Sequence, residues 1–167
     1  MDRSTLGARP RHRPAATQFD LLSEWHFNHP LEAVWDLLLD MEAWPYWWQS
    51  VAGVEHLRDG GATGIGAIYR LEWRTALPYR ISLQTEVVAV DRLRRIEGRA
   101  SGDLKGRGVW TLSPTESGTR VRYQWIVEVE KPWMRVLAPI LRPLFRWNHA
   151  IVMARGRKGL ARALATL

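Results

Sequence analysis

Apolar and polar positions along this chain repeat in two rhythms, and the places where the rhythm changes outline its elements. Leu21 to Asn28 alternates as a strand does, with Leu22, Glu24 and His26 on one side. Pro30 then suits the first turn of a helix, with His29 or Asn28 as a cap. Leu31, Val34, Trp35 and Leu38 fall at i, i+3, i+4 and i+7, which predicts a helix over Leu31–Leu39. Trp44, Trp47 and Trp48 make the stripe of a second short helix around Met41–Gln49, limited by Pro45.

From Val51 the period becomes two. Strands are predicted at Val51–Leu57, Ile65–Arg74, Tyr79–Ala89, Arg95–Gly102, Gly106–Leu112 and Thr119–Val129. Asp59-Gly60-Gly61 and Glu116-Ser117-Gly118 are turn sequences between them, and Leu77-Pro78 breaks a run. Short connections and alternation predict an antiparallel meander with one wet face. Pro132 to Leu167 reads as helix, with a bend between Pro139 and Pro143 and the long helix restarting at Pro143. The expected fold is a single α+β domain over residues 19–167, preceded by a disordered basic tail over 1–18.

A cavity follows from side-chain size in the inward register. The later strands place Trp73, Tyr79, Tyr123, Trp125, Val127 and Val129 on that face. The middle strands place Gly98, Ala100, Gly102, Gly106 and Gly108 there, followed by Trp110 and Leu112. Aromatic walls around small floor residues leave space beneath a helix. The same glycines could instead mark bulges that curve the sheet, and both can hold together.

Charge adds a second asymmetry. The chain is +7 overall, but residues 1–18 carry +3, residues 19–130 carry −4, and residues 131–167 carry +8 with no acid. Three readings of the basic segment stand: a solvated helix face, an anionic membrane surface, and nucleic acid. VLAPILRPLF followed by RWNH mixes apolar bulk with Arg and Trp as an interfacial helix does. Nucleic acid is not expected, since no exposed aromatics interleave the basic residues on a sheet.

Chemistry is sparse. There is no cysteine, which excludes disulfides and thiol nucleophiles and permits the cytoplasmic location expected here. His12, His26, His29, His56 and His149 show neither HExxH spacing nor a carboxylate cluster, so no metal and no cofactor is expected. His149 reads as a partly exposed helix histidine or a helix–sheet hydrogen bond. No GxSxG elbow or phosphate loop occurs. General acid–base candidates are Tyr79, Tyr123, Asn148 and, at the rim, Asp103. Arg70, Glu72, Arg74, Arg80, Glu86, Glu97, Arg99 and Arg122 fall on the opposite register as a solvent-face ladder of cross-strand pairs.

Six segments taken in order carry a family resemblance: FNHPLEAVWDLLLDMEAWPYWW, GATGIGAIYRLEWR, LPYRISLQTEVVAVD, GDLKGRGVWTL, GTRVRYQWIVEV and RWNHAIVMARGRKGL. Over about residues 19–165 the chain resembles the SRPBCC superfamily of StAR-related lipid-transfer, plant pathogenesis-related and polyketide cyclase/dehydrase-like proteins. The resemblance implies a helix-grip fold: a curved antiparallel sheet of about seven strands around a long C-terminal helix, with two short helices after the first strand. It also implies a ligand tunnel between helix and sheet. The residues expected to bind a ligand are Trp73, Tyr79, Gly98, Ala100, Gly108, Trp110, Tyr123, Trp125, Asn148 and Val152. Two functions remain in view. One is binding or carriage of a lipid, isoprenoid or polycyclic aromatic; the other is a cyclase/dehydratase using a cavity tyrosine as acid or base. Catalytic residues are unassigned.

Overall fold

The computed structural model describes residues 18–76, 78, 80–128 and 138–167. The tail reading over residues 1–17, together with Tyr79 and Val129, lies outside the described residues. Strand β1 (Gln18–Phe27) is followed by helix α1 (Leu31–Leu39), a 3-10 turn (Met41–Ala43) and helix α2 (Trp44–Trp47). Strands β2 (Val51–Arg58), β3 (Ile68–Arg74), β4 (Arg80–Asp91), β5 (Arg95–Gly102), β6 (Lys105–Thr115) and β7 (Gly118–Glu128) come next, and helix α3 (Ala138–Leu164) closes the chain. The strands form one antiparallel sheet in the order β1-β7-β6-β5-β4-β3-β2. The excursion through α1 and α2 therefore carries the chain from one sheet edge to the other. This is the curved seven-stranded sheet and C-terminal helix of the helix-grip fold.

Several boundaries differ from the pattern reading, each for a physical reason. Gln18, assigned above to the tail, already pairs with Glu128. Pro30 is the N-cap of α1, and no side chain caps that helix, so neither Asn28 nor His29 has the capping role. Ile65 is not in a strand: Gly64 and Gly66 have φ of +80° and +90°, and this left-handed backbone turns the chain until β3 starts at Ile68. Helix α3 runs unbroken from Ala138, so Pro143 lies inside it rather than starting it. So near the helix start, the missing N–H of Pro143 forfeits a single bond, to the carbonyl of residue 139.

α3 packs against β1, α1 and α2. Met153, Leu160 and Leu164 are its buried residues in the core. Between them Gly156 and Gly159 form a notch. A Cβ on Gly156 would come within 2.7 Å of Trp48 Cζ2, and one on Gly159 would strike the Trp47 carbonyl. Glycine inside a helix costs about 1 kcal/mol relative to alanine. Here the notch admits Trp48, which is 1% exposed and donates from Nε1 to the Val152 carbonyl at 2.9 Å. Trp48 also meets Trp25, Trp44, Trp47, Trp73 and Trp110 at ring distances between 5.2 and 6.1 Å. Six tryptophans thus tie β1, α2, β3 and β6 together.

The outer sheet face is the expected ladder of charge. Arg70 pairs with Glu55, Arg58 with Glu86, Arg122 with Glu24 and Arg80 with Glu72, while Arg95 and Arg107 share the buried Glu97.

Candidate functional site

A cavity of about 170 Å³ lies between the concave sheet and α3. Of the ten residues expected at a ligand, Trp73, Gly98, Ala100, Gly108, Trp110, Tyr123, Trp125, Asn148 and Val152 line it, and Tyr79 is not described. The lining also includes residues the period-two argument did not reach. Phe19 and Leu21 come from β1, Leu38, Leu39 and Met41 from the helical excursion, and Phe145, His149 and Met153 from α3. Period two reads one strand at a time. Which edge strand and which helix face close the same space depends on the register of the whole sheet.

The floor works differently from a simple gap. Gly98 and Gly108 face each other across β5 and β6. A Cβ on Gly98 would lie 2.8 Å from Thr85 Cγ2, and one on Gly108 would lie 2.7 Å from Tyr123 Oη. The glycines let Thr85 and Tyr123 lie over the strands, and the void sits above those side chains. A register shift between Val87 and Ala89 in β4, beside Gly98, shows that a bulge and a cavity coexist here. Gly102 does not join the floor: it is exposed at the end of β5 with φ +117°. Gly106 is buried against the Ile126 carbonyl and Trp125.

Polar groups are few. Tyr123 stacks on Trp110 with ring centroids 4.2 Å apart and lies nearly parallel to His149 at 6.2 Å. It lines the cavity deep enough that burial pushes its hydroxyl above the usual phenol range. Burial also lowers His149 to about 4, so its imidazole is neutral at physiological pH, and its Nε2 is enclosed without a partner among the described residues. Asn148 is committed to structure, since its Oδ1 accepts the Ala76 N–H at 2.8 Å and pins the β3–β4 loop to α3. Asp103 does not line the cavity; its carboxylate caps the end of β4 by accepting from Ser82 N at 2.7 Å. Glu128 is the charged residue of the lining, and it is exposed. Among the described residues no cluster of His, Asp or Glu could hold a metal ion.

The described cations of α3 are Arg142, Arg146, Arg155, Arg157, Lys158 and Arg162, and none pairs with a described acid. Leu144 and Trp147 on the same helix are 37% and 51% exposed. No described helix is long and apolar enough to cross a membrane.

A family model described as polyketide cyclase/dehydrase and lipid transport matches residues 17–166. The chain belongs to that family. It is thereby a member of the SRPBCC superfamily, whose proteins are of hydrophobic-ligand-binding or polyketide cyclase type. No curated protein sequence matches the chain. Among solved structures, a protein of Thermus thermophilus superposes with TM-score 0.71 at 21% identity, covering 86% of this chain and 98% of its own. A START superfamily protein of Mycobacterium smegmatis gives 0.70 at 17%, covering 90% and 98%. The Zhui aromatase/cyclase of a Streptomyces species gives 0.70 at 12%, covering 89% and 94%. At these identities the likeness extends to the fold.

Proposed function

We propose that this protein binds, and carries, a small hydrophobic ligand in the cavity between α3 and the sheet. The observation that carries this reading is a void of about 170 Å³ walled by Trp73, Trp110, Trp125 and aliphatic side chains. Apolar cavities of about 150 Å³ stay dry and take up benzene-sized molecules. The nine lining residues expected from sequence, Trp73 through Val152, are the proposed contacts, and Tyr79 remains a candidate with them. The test is binding of a hydrophobic fluorescent dye to the wild type and to Ala100→Phe. Ala100 is 5% exposed and on the lining, so a benzyl group there should fill the space. Dye binding should fall severalfold while the circular dichroism spectrum is retained; equal dye binding by both proteins defeats the reading.

A cyclase or dehydratase reaction is the second reading, favoured by one observation, the Tyr123 hydroxyl on the cavity wall. It is the weaker of the two. A phenol whose pKa is raised is a poor base at neutral pH; among the described residues no carboxylate stands beside it, and the neighbouring His149 imidazole lies parallel to its ring at 6.2 Å, its Nε2 without a hydrogen bond to the phenol. The unpaired cations of α3, with Leu144 and Trp147, support a further part of the proposal: delivery or uptake of the ligand at an anionic membrane surface. The cysteine-free chain suits a cytoplasmic site for this work.

A further inference from the structure

We infer that the cavity takes a neutral aromatic molecule of one or two rings bearing a phenol or ring-ketone oxygen, and that Tyr123 Oη hydrogen-bonds that oxygen. This rests on the ligand-binding reading above and narrows it. Size sets the first limit: about 170 Å³ is close to the roughly 150 Å³ that holds one benzene ring. Shape sets the second, because the walls include the flat faces of Trp73, Trp110, Tyr123 and Trp125.

Polarity decides the rest. Asn148 Oδ1 is occupied by Ala76, His149 Nε2 and Trp73 Nε1 are enclosed in the wall, and Thr85 turns its methyl over Gly98. Tyr123 lies on the lining, and its Oη is not among the enclosed polar atoms. It is nonetheless held in place, with the ring stacked on Trp110 and the hydroxyl above Gly108, where any side chain would displace it. A hydroxyl open to the cavity would be stripped of water when an apolar ligand fills the space, so a ligand oxygen that meets it is selected over a plain hydrocarbon. No described cation lines the cavity, which disfavours a carboxylate ligand. The burial that keeps His149 neutral and Tyr123 protonated points the same way.

The test is calorimetric titration of naphthalene and 2-naphthol, at pH 7, into the full chain and into Tyr123→Phe. The variant should bind 2-naphthol about three- to tenfold more weakly than the wild type, the range of one neutral hydrogen bond, with naphthalene affinity unchanged. An unchanged 2-naphthol affinity, or an equal loss for both ligands, overturns the assignment to Tyr123 while the cavity still binds. If neither compound binds the wild type, the ligand-binding reading itself fails, and this inference with it.

Discussion

His149 is half-buried, with Nε2 enclosed and without a hydrogen bond, and burial lowers its pKa from the ordinary 6.5 to about 4. Below pH 6.5 the unfolded chain therefore takes up a proton that the folded chain refuses. Stability from this group is complete above pH 6.5 and is lost as pH falls from 6.5 towards 4, by roughly 3 kcal/mol over the window. His149→Phe keeps a ring beside Tyr123 and removes the titration. Urea unfolding at pH 7, 5.5 and 4.5 should show the variant losing much less stability than the wild type across that range. Equal losses in both would mean that His149 is solvated in the folded protein. Nothing in the spacing around RWNHA distinguishes this histidine from an exposed one. Its neutrality comes from the sheet and Tyr123 closing over it.

At the scale of elements, α3 does two jobs with opposite faces. Its inner face supplies the glycine notch for Trp48 and one wall of the cavity. Its outer side carries cations without acid partners, where cross-strand pairs neutralise the sheet's outer face. Internal pairing with the acidic body would be another use for that charge, and among the described residues it does not occur. Each cation at an anionic bilayer contributes about 1 kcal/mol. The chain should then co-sediment with vesicles containing anionic lipid at low salt and be released at high salt. Replacing Arg142 and Arg146 with Gln, beside the exposed Leu144 and Trp147, should weaken that binding about tenfold or more. Sedimentation that ignores anionic lipid and salt would leave the charge as a solvated face.

For the molecule as a whole, the sheet begins at Gln18, paired with Glu128, and the core cluster draws on every later element. Deleting residues 1–17 should shift the melting temperature by no more than about two degrees, the scale of surface changes. A larger drop in a thermal scan would show those residues packing on the domain. Much of the architecture is local in origin and was legible in sequence. Leu31–Leu39 and Arg95–Gly102 coincide with their elements because side-chain period and flanking turn residues act within a few positions. The inward strand residues from Trp73 to Trp125 were legible for the same reason, since alternation assigns a face, whereas Asn148 and Val152 lie on α3, outside that pattern. What needed tertiary structure was everything decided between elements. Gly98 and Gly108 read as empty floor but hold Thr85 and Tyr123, because the occupant of a glycine's space comes from a neighbouring strand. Gly156 and Gly159 carry no period that announces a tryptophan notch. The contributions of β1 and α1 to the cavity depend on β1 joining the sheet edge beside β7, where Gln18 pairs with Glu128, over a hundred residues away. Contacts that distant depend on how the whole sheet curves, and no local pattern encodes that curvature.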